Sequence, residues 1–158
     1  MNAVQVRGAT LDDLPAVSAL AEALVELHHG FDPRRFLRVP GVAEGYLKWF
    51  TRELENPDAI ILVATGAEGL VGYVYGRVEP RDWNMLLDRH AALHDIYVSA
   101  EARGRGVAEA LVDAFAERAR ALGAPRVVLH TASQNEAAQR LFARLGFRPT
   151  MIEMTREL

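Results

Sequence analysis

Arg103-Gly104-Arg105-Gly106-Val107-Ala108 brings together the residue types that hold a phosphate. Glycines let the backbone turn tightly and approach a ligand with no side chain in the way. Helical periodicity begins directly after them. The free amides and positive dipole end of a helix N-terminus therefore stand at the same point, and both favour an anion. Arg103 and Arg105 add positive charge there. The same residues also suit an ordinary strand-to-helix turn with solvated arginines, since glycine-rich turns hold phosphate only sometimes. Other phosphate motifs fit less well. A Walker loop needs Gly-Lys followed by Ser or Thr, which is absent, and a dinucleotide fingerprint would want glycine where Glu109 stands.

The elements around this turn can be read from periodicity and punctuation. Val4 to Arg7 is a short β-like run. Thr10 can cap a helix with Asp13 in its first turn, and Leu14, Val17, Leu20, Ala21, Leu24 and Leu27 recur at helical spacing to about His28. Gly30 and Pro33 break it. A second helix is expected over Val42 to Leu54, ended by Asn56-Pro57-Asp58. Ala59 to Ala64 and Leu70 to Val78 flank a Gly66 to Gly69 turn and read as a β-hairpin. Glu79 to Arg89 reads as a surface loop and Ala92 to Val98 as the next strand. A helix follows from about Gly104 to Leu122, then an apolar strand from Arg126 to Thr131, a helix from Asn135 to Leu145, and a final strand near Met151 to Arg156. The order β-α-α-β-β-β-α-β-α-β over residues 1–158 predicts a single α/β domain with no linker, repeat or low-complexity segment.

Composition narrows the function. The 158 residues are 50% hydrophobic and 25% charged, with a formal net charge of -3, the profile of a soluble globular domain. Acidic and basic residues are mixed along the chain, which argues against a nucleic-acid partner. Without cysteine there is no disulfide, thiolate metal site or thiol nucleophile. Met1 to Arg7 shows no secretory leader, and no stretch approaches the roughly 20 apolar residues of a membrane span. A cytoplasmic location with no membrane partner is expected.

Val98-Ser99-Ala100-Glu101-Ala102-Arg103-Gly104-Arg105-Gly106-Val107-Ala108 resembles the pyrophosphate-binding pattern Gln/Arg-x-x-Gly-x-Gly/Ala of the GNAT superfamily of acyl-CoA N-acyltransferases. Asn135-x-x-Ala138-x-x-Leu141-Phe142-x-x-x-Gly146-Phe147 resembles that family's second motif at the expected distance, and the element order agrees over nearly the whole chain. The resemblance implies a mixed, mostly antiparallel sheet with flanking helices, whose fourth and fifth strands splay apart. It also implies acetyl-CoA as cosubstrate, no metal, and acetyl transfer to a primary amine through a ternary complex. Pantetheine would lie in the opening, paired with backbone groups of Ile96, Tyr97 and Val98, one amide there polarising the thioester carbonyl. The amides of Arg103, Gly104, Arg105, Gly106, Val107 and Ala108 would hold the pyrophosphate. Asn135 would bond the pantetheine arm, or simply cap its helix, and Ala138 would leave room for the cofactor.

Two positions depart from the family pattern. Phe142 stands where many members carry a tyrosine that protonates the departing thiolate, and phenylalanine has no proton to give. Packing against Phe115 or Phe147 is its simpler role, and its presence favours the alternative of a non-catalytic acyl-CoA-binding sensor domain. His94 stands where the family often has a glutamate that takes a proton from the substrate ammonium. Histidine, with a reference pKa of about 6.5, can replace it as general base, or can merely pack. Regular alternation would turn Asp95 to the opposite face unless a bulge intervenes. His130 is a secondary candidate. His28 and His29 diverge by about 100° on a helix and make a poor metal pair, so their surroundings read as a substrate-contacting loop. Glu26, Asp32, Tyr73 and Trp83 are candidates to line an amine pocket. The context His94 to Val98 looks most like the small-amine and diamine branch. Many relatives pair as dimers, and an exposed edge strand near the C-terminus offers this chain a route to a homodimer.

Overall fold

Apolar side chains on both faces of the central strands demand a layer of helices on each side. A computed structural model, which describes residues 4–158, has that architecture; residues 1–3, part of the run read above for a leader, lie outside it. Five strands, β1 (Gln5–Gly8), β2 (Ala59–Gly66), β3 (Gly69–Glu79), β4 (His90–Val98) and β5 (Val127–Leu129), form one sheet in the order β1-β2-β3-β4-β5. The pairs from β1 to β4 are antiparallel, and β5 runs parallel to β4.

Helices α1 (Leu14–Phe31) and α2 (Val42–Glu53) cover one face, where Leu14, Val17, Ala21 and Phe50 pack on Ile61, Val63, Tyr73 and Tyr75. On the other face α3 (Val107–Ala121) and α4 (Glu136–Arg144) bury Val107, Leu111, Phe115 and Phe142 with Ile60, Leu62, Val74 and Leu93. Ile60 and Leu62 thus face one layer and Ile61 and Val63 the other, which explains why β2 reads as a continuous apolar run rather than an alternation.

A 3-10 turn, Leu11–Asp13, precedes α1. The Asp13 carboxylate accepts from the Thr10 amide at 2.8 Å and from the Arg7 guanidinium at 2.6 and 2.9 Å. Those bonds, led by the one from Arg7, hold the Asp13 carboxyl well below the usual range.

Two expectations about strands are corrected. Only Val127–Leu129 of the fifth strand pairs, because β4 leaves it after the match of Leu93 with Leu129. No strand forms over Met151 to Arg156. That segment lies outside the sheet and forms no backbone hydrogen bond with the described residues, so it lacks the ladder that defines a strand.

Candidate functional site

The separation of β4 from β5 begins at a β-bulge. Tyr75 is opposite Asp95 and Gly76 is opposite Leu93, so His94 is an extra residue with no partner on β3. Beyond the bulge the edge of β4 that faced β5 is open. Ser99 N–H donates to Val71 O at 2.9 Å, which fixes the phase of the antiparallel ladder. Tyr97 therefore exchanges bonds with Tyr73 on β3, while Ile96 and Val98 turn their N–H and C=O groups toward the opening. Val98 O accepts from Arg103 Nε at 3.1 Å, and the Arg103 guanidinium lies over the Tyr97 ring at 5.5 Å. Of the three residues expected to pair with pantetheine, Ile96 offers both groups and Val98 its amide, whereas the Tyr97 backbone is engaged with β3.

The glycine turn has the expected local form. Gly104 (φ 73°) and Gly106 (φ 76°) lie in the left-handed region, and the space where a Cβ would stand is clear at both. Gly106 is the N-cap of α3. Among the described residues no acceptor faces the amides from Gly104 to Glu109, while Ala110 N–H donates to Gly106 O and opens the helical ladder. A row of free amides at a helix start, beside two arginines, fits a pyrophosphate. Asn135 Oδ1 accepts from Ala138 N at 3.1 Å, so this side chain caps α4 through its oxygen and has only its amide NH₂ to offer a ligand. Phe142 is buried, with its ring 5.7 Å from that of Phe147.

On the α1/α2 face a cavity of about 580 Å³ opens beside the bulge. His28, Arg35, Phe36, Tyr46 and Trp49 stand along its wall, and both His94 and Asp95 reach it. The expectation that Asp95 points to the opposite face is thereby corrected: the extra residue at the bulge brings two consecutive side chains to one side. His94 Nε2 lies 2.7 Å from Glu79 Oε1, and its ring is 5.7 Å from that of Tyr75. Tyr75 is itself fixed, its hydroxyl donating to Glu53 at 2.7 Å and accepting from Trp49 Nε1 at 3.1 Å.

Asp95 lies at the cavity floor, reached by water yet surrounded by protein. That burial raises its pKa, against the opposing pull of the Tyr73 hydroxyl, which donates at 3.1 Å, and of His94 and His28. Burial and the nearby Asp95 push the Tyr46 phenol up to about 12 and that of Tyr73 well above its ordinary value, so both remain donors.

Of the other sequence candidates only His28 lines this cavity. Glu26 pairs with Arg38 at 3.1 Å, Asp32 accepts from the Arg34 amide at 3.0 Å, and Trp83 is 73% exposed on the β3–β4 connection. Tyr73 is fully buried behind Asp95. His28 and His29 each bond a backbone carbonyl, of Leu24 and Phe36, at 2.9 Å. His130 is exposed just past β5. Glu79, Tyr46 and Trp49 were missed. The signal for Glu79 was present, because Tyr73, Tyr75, Arg77 and Glu79 form one alternating stripe that continues β3 into what reads as a loop.

The sheet with its β4–β5 opening, the amide-rich turn and the flanking cavity define an acyl-CoA-dependent acyltransferase architecture. Residues 20–147 match the model of the acetyltransferase (GNAT) family, and the chain belongs to that family. It is 30% identical over 144 residues to an L-methionine sulfoximine/L-methionine sulfone acetyltransferase of Pseudomonas paraeruginosa, covering 90% of this chain and 78% of that one. Its fold matches that of the BH1408 protein from Bacillus halodurans (TM-score 0.83, 20% identity, 98% and 99% of the two chains). It also matches AAC(6')-Iy in complex with a bisubstrate analogue (TM-score 0.80, 18% identity, 99% and 98% of the two chains). The chain is therefore an N-acetyltransferase of a family that uses acetyl-CoA.

Proposed function

We propose that this chain acetylates the primary amine of a small acceptor bound in the cavity beside His94 and Asp95, by direct attack on acetyl-CoA. The observation that carries this reading is the bulge, which delivers a proton acceptor and an anion into one cavity at the mouth of the β4–β5 opening. Acetyl-CoA supplies an activated thioester. The free amides from Gly104 to Ala108 would hold its pyrophosphate, and the outward groups of Ile96 its pantetheine arm.

The chain's own residues then have separable tasks. Asp95 attracts the acceptor ammonium to the cavity floor, while the aromatic wall of Phe36, Tyr46 and Trp49 takes its apolar body. His94 removes one ammonium proton, so that the nitrogen lone pair can form the new N–C bond. The C–S bond then breaks, the thiolate leaves, and the second proton of the acylated nitrogen passes to the thiolate or to water, which leaves the neutral amide. Glu79 orients the imidazole. Phe142 gives no proton to that thiolate, and none is required of it, because a thiolate is a fair leaving group. A free α-amine suits this cavity, in keeping with the amino-acid acceptors named for the Pseudomonas relative.

The test is release of free CoA from acetyl-CoA against a panel of amino acids, L-methionine sulfoximine, diamines and aminoglycosides. Turnover that follows the apolar amines, and falls in His94→Ala, is the expected result. Turnover unchanged in both His94→Ala and Asp95→Asn would move the chemistry away from this cavity.

A further inference from the structure

The acceptor cavity holds charge of both signs. Among its described lining residues Asp95 is the one carboxylate, and Arg35 the one cation that keeps its charge at any working pH. A file of contacts joins the two. The Arg35 guanidinium lies over the Phe36 ring at 5.0 Å, and that ring packs against the His28 ring with centroids 5.0 Å apart. His28 in turn is near enough to Asp95 to favour its ionised form. Arg35 already holds a carboxylate. Glu153 presents both oxygens to it, Nη2 donating to Oε2 at 2.8 Å and Nε to Oε1, the two-pronged grip that a guanidinium makes on a free carboxylate. This occupant is loosely held. Glu153 belongs to a segment after α4 that forms no helix or strand, both side chains are about half exposed, and ion pairs of that kind add little stability.

We propose that Arg35 selects the acceptor: it takes the carboxylate of an amino acid, in the place now held by Glu153, while Asp95 takes the ammonium. The inference rests on the acetyl-transfer reading of this cavity and adds the acceptor's second charged group. Charge separates the candidate acceptors. A diamine or an aminoglycoside would bring two or more cations to a cavity with one carboxylate, and would set one of them near Arg35. A simple alkylamine would leave Arg35 with Glu153 and gain nothing from it. An amino acid meets both charges at once, and its apolar part lies along Phe36, Tyr46 and Trp49. Glu153 is then a built-in competitor. It keeps the guanidinium paired while the cavity is empty and must give way before a second carboxylate can bind.

Pentylamine, L-norleucine and ε-aminocaproate test this, because each amino acid is pentylamine with one carboxylate added, beside the amine or at the far end. By release of CoA from acetyl-CoA, the better of the two amino acids should show a kcat/KM roughly 10–100-fold above that of pentylamine, as one charge-assisted contact would give. Arg35→Gln should remove most of that ratio, and Arg35→Lys should restore part of it, since an ammonium supplies the charge without the fork. Glu153→Gln should lower the amino-acid KM roughly two- to fivefold, the range of an exposed pair, and leave the pentylamine KM where it was. Both residues lie outside the core, so all three variants should match wild type by circular dichroism. Equal kcat/KM for pentylamine and both amino acids, a ratio that survives Arg35→Gln, or an amino-acid KM unmoved by Glu153→Gln would each overturn the proposal and leave acetyl transfer in this cavity standing. If none of the three compounds releases CoA, calorimetry separates the two ideas. Binding of an amino acid that is lost in Arg35→Gln upholds the Arg35 site although the acetyl-transfer reading fails, and the lack of such binding overturns the proposal.

Discussion

A neutral imidazole has one nitrogen free to take a proton, and at position 94 the neighbouring carboxylate decides which. Ionised Glu79 can only accept, so the Nε2 at 2.7 Å carries the hydrogen and Nδ1 keeps its lone pair. His94→Ala should lower kcat by about 10²–10⁴-fold, leave acetyl-CoA affinity nearly unchanged and flatten the acidic limb of the pH–rate profile. Glu79→Gln should lower kcat less, because it frees the tautomer without removing the base. Asp95→Asn should act on acceptor binding instead, raising the amine KM roughly 10–100-fold with a smaller change in kcat, as expected for loss of a charge-assisted contact. It should also reveal a stability cost. Burial raises the Asp95 carboxyl above its unfolded value, so the folded chain holds that proton more tightly. The stability this confers is complete below the unfolded pKa and is lost as pH rises through the folded one. Chemical denaturation should accordingly find Asp95→Asn gaining on wild type as pH rises above the unfolded carboxyl value. The place of His94 on the strand before the turn is legible in the sequence, because a short strand leads directly into a recognisable glycine turn. The direction of Asp95 is not, since a one-residue bulge leaves no mark on apolar periodicity.

At the scale of elements, the turn before α3 joins a backbone requirement to an electrostatic one. Gly106→Glu should abolish acetyl-CoA binding in calorimetry, because it sets bulk and negative charge among the free amides, and should cost about 1–2 kcal/mol of stability for a side chain at positive φ. The start of α1 depends on Asp13, which ties Thr10 and Arg7 to the first turn. Asp13→Ala should cost about 1 kcal/mol at neutral pH. Its carboxyl is held low, so this contribution is present above the unfolded pKa and disappears as pH falls through the folded value. The wild-type and Asp13→Ala denaturation curves should converge in acid. The helices and the β2–β3 hairpin are plain in the sequence, since period, caps and turn glycines agree. The length of β5 and the absence of a strand over Met151 to Arg156 are not, because pairing depends on a neighbour: β4 turns away from the first, and the second meets no strand among the described residues.

At the scale of the molecule, two helical layers grip a sheet that is complete on one side and parted on the other. Ligand that enters the parted side binds only the folded chain. Acetyl-CoA at about 100 times its Kd should therefore raise stability by roughly 2.7 kcal/mol, whereas ATP or NAD should leave the melting temperature unchanged. Phe142 belongs to this scale rather than to the chemistry. Phe142→Ala should cost about 3–5 kcal/mol through the cavity it opens between α4 and the sheet, with kcat of the folded fraction little altered.

The bulge also bears on how such a chain can change. Position 94 has no backbone partner on β3, so a new side chain there gives up only the contacts with Glu79 and Tyr75 and displaces no core residue, while it faces whatever the cavity holds. Replacement of His94 by glutamine or serine should leave the melting temperature almost where it was and move the rate or the pH range of the reaction. The sheet has thus set aside one site at which chemistry can vary while the architecture around it stays fixed.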